Sequence, residues 1–333
     1  RRTALVRSAG LFPSRQAIRA ERLRFDMAGK QRTIGEAAQF VIDELRNRGV
    51  TVSPSCRLGR YAAQFAKNAY ARPMGANDQS SLLEGLMAMR DVEEIAMILD
   101  EFPTATKEEL RRLIDDAILP RIDHSTPGRD RQLELFIGAI CRRGGMAVLM
   151  DREPDLWCEA SRVWLGLAVK RVRSTAKFEA NLMDGAEQIQ RSQLAYGLVC
   201  LDMSLGWNPN IETVLTKRTP SEVAFDYRER IFRLLDERNS VLADAWARFP
   251  KVLGLLCIDL TFTHHEPIGW FRDQCSIFSM SHRNDRLRGR VAGAFRSGWI
   301  SGSPNCVDMD QVPRTGRFVS PPVDKIMPLR PGS

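Results

Sequence analysis

Apolar residues recur at three- and four-residue intervals through most of the first third of the chain. TIGEAAQFVIDELRNRG, from Thr33, has this spacing and is followed through to Gly49, so it predicts an amphipathic helix with a glycine stop. RLGRYAAQFAKNAYAR, from Arg57, repeats the pattern. Residues 80–99 and TKEELRRLIDDAIL, from Thr106, continue it, with Pro120 ending the last helix. Strand-type alternation is absent, which predicts an all-helical domain or extension over 30–122. HSTPGRD, from His124, reads as a turn-rich hinge.

The pattern changes at Arg131. RQLELFIGAICRRGG predicts a helix closed by two glycines, and MAVLMD, from Met146, a short apolar strand. DLWCEA and VWLGLAVKRV predict a hairpin turning at Ser161-Arg162, with Trp157 and Trp164 packing across it. KFEANLMDGAEQIQRS, from Lys177, predicts a second helix; YGLVCLDMS, from Tyr196, predicts a strand buried on both faces. One long helix over 221–249 and a strand from Val252 follow. Strands alternating with helices in this way predict an α/β domain over 123–263, a mixed sheet covered by helices. Residues 264–333, rich in Gly, Ser, Pro and Arg, predict an irregular extension.

Composition narrows the class. In 333 residues, 44% hydrophobic content is enough for a globular core, and a net charge of +8 favours an anionic partner such as nucleic acid. Seven cysteines form no CxxC pair, and several sit in apolar runs, so they read as small buried hydrophobes in a reducing, cytoplasmic compartment. No apolar run approaches the ~20 residues of a membrane helix. Residues 1–29 are arginine-rich and acid-poor; the expectation is a basic tail or presequence, disordered or foreign to the fold, with the folded protein starting near Met27.

Against this background Lys170 stands out, a lysine near the end of VWLGLAVK in a chain that writes most of its positive charge as arginine. Such a lysine either snorkels to water or serves a site that needs a point charge. Asp155, after Pro154, lies between two expected strands; Glu134 is on the helix before the sheet and Glu179 on the helix after it. If the strands are adjacent, Asp155 and Lys170 share one sheet edge and both helices can lend a carboxylate. Hard oxygen ligands beside a lysine suit Mg²⁺ and a phosphate oxygen. Each residue also has a plainer reading: a snorkelling strand end for Lys170, a turn for Asp155, a solvated face for Glu134, a first-turn acid for Glu179. His264-His265-Glu266 lacks the spacing of a metal motif, and no Gly-rich phosphate loop or GxSxG elbow is present.

The ordered set resembles the PD-(D/E)XK nuclease superfamily over about residues 130–205. ELFIGAICRRGG stands for its first helix, EPDL for PD, LAVK for (D/E)XK, and the helix with GAEQIQRS follows. The resemblance implies a restriction-endonuclease-like αβββαβ core and a Mg²⁺-dependent hydrolase cutting phosphodiesters, with a DNA endonuclease as the expected activity, Mn²⁺ able to substitute and a homodimer as one assembly such enzymes use. Asp155, Glu179 and Glu134 would hold metal. Lys170 would orient the attacking water and stabilise developing charge, and Gln188 would stand near the site. Arg171, Arg173, Lys177 and Arg191 would grip nucleic acid. One departure is plain: the acid two residues before the lysine is Ala168. Glu179, with Glu187 in reserve, is the expected replacement; a nuclease-like fold that only binds DNA or protein is the alternative.

Overall fold

A computed structural model describes residues 24–27, 30–66, 79–114, 127–150, 152–208, 214–216, 220–265, 269–280 and 286–303. The expected tail before residue 24, the Pro120 stop, the start of the hinge at His124, Glu266 and the segment after residue 303 lie outside them. The chain divides into two compact units, Arg1–Ala139 and Ile140–Ser333.

The first unit opens with a hairpin: β1 (Arg24–Met27) lies in the segment expected to be disordered or foreign to the fold, and β2 (Lys30–Thr33) lies where helix alone was expected. Then come α1 (Ile34–Asn47), α2 (Arg57–Ala66), α3 (Gln79–Glu101), α4 (Lys107–Arg112) and most of α5 (Pro127–Arg143). Gly49 ends α1 by taking φ +78° and donating to the Arg46 carbonyl at 2.8 Å, the αL cap that glycine adopts without a Cβ penalty. Thr106 and Glu109 form a reciprocal capping box at α4.

The core of this unit is polar at one point. Asp91, on α3, accepts from Tyr61 Oη at 2.8 Å, Arg57 Nη1 at 3.1 Å and Arg129 Nη1 at 3.2 Å. Gln132 Nε2 donates both to Asp91 (3.1 Å) and to Glu94 (2.6 Å), and Arg90 pairs with Glu94 at 2.9 Å. Burial alone would raise the Asp91 pKa, but Arg129, Arg57 and Arg90 outweigh it and hold the carboxyl well below the usual range.

The second unit carries the sheet. The end of α5 is followed by β3 (Val148–Met150), β4 (Leu156–Ala160), β5 (Val163–Arg171), α6 (Phe178–Arg191) and β6 (Tyr196–Asp202), the expected order of helix, three strands, helix and strand. After these come α7 (Ser204–Trp207), β7 (Val214–Thr216), α8 (Pro220–Glu237), α9 (Asn239–Arg248), β8 (Val252–His265), β9 (Gly269–Met280) and α10 (Arg286–Gly302). The seven strands run β3-β4-β5-β6-β8-β7, with β9 also paired to β8. β3, β4 and β5 form an antiparallel meander; β5, β6 and β8 are parallel. This is an α/β architecture with a mixed sheet.

The parallel strands are buried on both faces, as their unbroken apolar runs require. Against one face α6, α8 and α9 bury Leu182, Ala186, Ile189, Ile231 and Leu242 over Ala168, Val199 and Leu255. The β4–β5 hairpin turns on Ser161 and Arg162, both at positive φ (53° and 64°), the backbone of a tight two-residue turn.

Several expectations are corrected. Trp157 stands opposite Gly166 and Trp164 opposite Glu159, so the two indoles are diagonal neighbours on one face and do not confront each other. The helix expected over 221–249 is two, because Arg238 leaves helical geometry between α8 and α9. The expected boundary after residue 263 falls inside β8, and the described residues beyond it are regular: β9 matches β8 along twelve residues, from Gly269 to Met280, and 286–302 form α10. Gly and Arg mask the periodicity of α10, although Val291, Ala292, Phe295 and Trp299 bury one clear face.

Candidate active site

Asp155 is placed by what precedes it. Pro154 lies directly over Gly166 of β5: a Cβ at that glycine would meet Pro154 Cγ at 2.6 Å. The chain therefore enters β4 pressed against β5, and Asp155 Oδ2 accepts the backbone N–H of Val169 at 2.7 Å. The carboxylate takes the place of a ladder carbonyl at the end of the β4–β5 pairing, one residue before Lys170. Its influence reaches the sheet interior: burial pushes the Cys200 thiol up, and Cys141, Asp155 and Cys257 push it further.

Lys170 is ion-paired. Its Nζ lies 2.8 Å from Asp184 Oδ2 on α6, with the lysine side chain mostly buried (16% exposed) and the aspartate open to solvent (58%). Strand alternation puts Lys170 on the same face of β5 as Ala168, the face that α6 covers. The helix can come this close because of Gly185: a Cβ there would stand 2.9 Å from Val199 Cγ1 and 3.4 Å from Ala168 Cβ. Position 168, where the resembled family carries an acid, is fully buried beneath that glycine.

Asp184 is the residue that sequence reasoning missed. Glu179 and Glu187 were the expected partners. Five residues along a helix turn about 140°, so Glu179 looks elsewhere; it is exposed in the first turn of α6. Glu187 is taken by Arg191 at 3.6 Å. A signal for Asp184 was present: it adjoins the one glycine of α6 and lies four residues before Gln188, hence on the same face. Gln188 Oε1 is buried without a hydrogen-bond partner on the protein, an uncommon state for an amide oxygen.

The expected nucleic-acid-binding cations divide. Arg171, next to Lys170 and so on the opposite face, is drawn inward: its Nε is 3.3 Å from Asp202 Oδ2, and the two side chains are 7% and 0% exposed. It is a structural ion pair at the ends of β5 and β6, and not a surface grip on phosphate. Arg191 bridges Glu187 and Glu153 at 3.6 and 3.7 Å, tying α6 to the loop that carries Asp155. Arg173 and Lys177 are exposed beyond the end of β5.

Glu134 belongs to the first unit, where it pairs with Arg131 at 2.9 Å, while Asp155 belongs to the second. Among the described residues no three His, Cys, Asp or Glu side chains gather as a metal-holding group. What the fold does show is narrower: Asp155 accepts from Val169 N, the next residue, Lys170, pairs with Asp184, and Gln188 lies one turn on from Asp184 along α6. Two carboxylates and an unpartnered amide oxygen are hard donors, and Mg²⁺ commonly takes one or two carboxylates and completes its shell with water and substrate. These residues fit such an ion in kind.

Cys141, Cys158, Cys200 and Cys257 are buried free thiols, as their apolar settings imply. No described helix is long and apolar enough to cross a membrane. No protein-family model, curated protein or solved structure matches the chain.

Proposed function

We propose that the chain is a metal-dependent nuclease of the PD-(D/E)XK type, acting on DNA in a reducing, cytoplasmic setting, with Asp155, Lys170 and Asp184 as its centre. The observation that carries this reading is the acid–lysine–acid arrangement at the end of β5: Asp155 Oδ2 at 2.7 Å from Val169 N and Lys170 Nζ at 2.8 Å from Asp184 Oδ2. The order of elements from α5 to β6 agrees with the core of that family.

Each residue has a distinct task. Asp155, anchored through one oxygen, presents a carboxylate fixed relative to β5. Lys170 carries a positive charge that Asp184 holds at the strand end; facing a phosphodiester, its ammonium donates to a non-bridging oxygen and favours the charge that builds there. Asp184 takes over the role left vacant at Ala168 and keeps the lysine from folding back to solvent. A bound Mg²⁺ or Mn²⁺ would supply an activated water and further charge stabilisation. Arg173 and Lys177 flank the site as phosphate contacts.

The test is cleavage of supercoiled plasmid and single-stranded DNA in Mg²⁺, Mn²⁺ or EDTA. Asp155→Ala, Lys170→Ala and Asp184→Ala should each abolish metal-dependent cutting, whereas Glu179→Ala should retain it. Full activity in any of the first three would overturn the assignment. A second reading, a nuclease-like module that binds without cutting, is favoured by Ala168 lying sealed beneath Gly185; it predicts no cleavage by the folded wild-type chain and no calorimetric Mg²⁺ signal.

A further inference from the structure

The helix α10 makes two choices that oppose its own stability, both on one face. Its first turn holds no acid and begins with Arg286, directly after Asp285 in the sequence. Arg290, Gly293 and Ser297 follow at four, seven and eleven residues on, so they continue the same exposed stripe. Gly289 and Gly293, weak helix formers, stand inside the helix although an added Cβ at either would meet nothing within 4 Å. The fold itself gives no reason for them, in contrast to Gly298 of the same helix, which is pressed against Met146.

The charges on this helix are one-sided. RLRGRVAGAFRSGWISG holds four arginines and no acid. Arg288 is committed to the fold, donating to the Pro250 carbonyl at 2.9 Å and lying over the Tyr196 ring. Arg286 and Arg290 are exposed and make no ion pair with a described residue. Two outward guanidiniums astride side-chain-free backbone at a helix start form a surface that repels cations and admits a row of phosphates closely. Guanidinium forks match phosphate geometry, and the two glycines remove the side chains that would hold a backbone off.

We infer that the Arg286–Ser297 face of α10 is a docking surface for the phosphate backbone of nucleic acid. Tyr196 and Pro250 stand at the starts of β6 and β8, whereas Lys170 is near the end of β5, which runs parallel to β6. The surface is therefore separate from the proposed cleavage centre, and it does not rest on that assignment.

Fluorescence anisotropy with a labelled 30-base-pair DNA duplex in EDTA, across a salt series and with the full chain, tests it. Arg286→Gln with Arg290→Gln should weaken binding about tenfold or more and lower the salt slope by about two, one for each phosphate contact removed. Gly293→Glu, which places a better helix former and a negative charge on the same face, should also abolish tight binding while leaving the circular dichroism unchanged. Asp155→Ala should bind like wild type. Unchanged affinity and slope in the arginine pair, or absence of duplex binding by wild type, would overturn the inference. So would equal or stronger binding to vesicles of mixed phosphatidylcholine and phosphatidylserine.

Discussion

Lys170 and Asp184 meet at 2.8 Å between β5 and α6, although fourteen residues and a helix start separate them in sequence. The lysine is mostly buried and the aspartate mostly not, so the pair works as a tether for an ammonium group and adds little to the fold. Exposed or half-exposed ion pairs contribute at most about 1 kcal/mol. Lys170→Met should accordingly leave the free energy of unfolding from urea titration within that margin while eliminating cleavage. A loss of stability much above it would mark the lysine as structural.

Introducing the acid of the resembled family at position 168 should fail. Position 168 is fully buried, and Gly185 sits directly above it. An aspartate there buries a charge in a space closed by α6, at an expected cost of about 3 kcal/mol or more. Thermal unfolding of Ala168→Asp should show the loss, with no gain in cleavage. A stable and more active variant would show that α6 yields at this point.

Gly166 carries the entry to β4. Gly166→Ala sets a methyl against Pro154 and must displace the loop that holds Asp155 to Val169 N. Overpacking of this kind costs about 1–3 kcal/mol. Cleavage should fall much further than stability, because Asp155 moves relative to Lys170. Equal, modest losses in both would separate Pro154 from the site.

The Asp91 network gives the helical unit an acid-sensitive core. The folded pKa of Asp91 lies below its unfolded value, so its contribution is complete at neutral pH, begins to fade below about pH 4 and is lost as pH falls towards the folded value. Asp91→Asn removes the buried carboxylate that Arg57 and Arg129 share and should cost about 3–5 kcal/mol at pH 7. It should also flatten the acid limb of a stability profile measured by urea titration. An unchanged limb would place the acid sensitivity elsewhere.

Much of the second unit was legible from residue pattern because its strands are apolar on both faces and its hairpin and helix stops carry clear local signals. Lys170 was legible for the same reason: a charge in such a run has few places to go. Its partner was not, since three acids on α6 (Glu179, Asp184, Glu187) look alike in sequence and only the close approach at Gly185 selects among them. Arg171 misled because adjacent strand residues point to opposite faces, and its inward partner Asp202 lies thirty-one residues away. The buried charges of α3 were hidden in an otherwise ordinary amphipathic pattern; their partners come from α2 and α5 and could not be read locally.

The position of Arg129 and Gln132 near the start of α5 bears on any dissection of the chain. A fragment ended at the turn-rich stretch near residue 123 would retain α1 to α4 yet lose two of the groups that neutralise and satisfy Asp91 and Glu94. What looks like a helical module ending at a hinge is thus chemically unfinished until the chain has entered the helix that leads into the sheet.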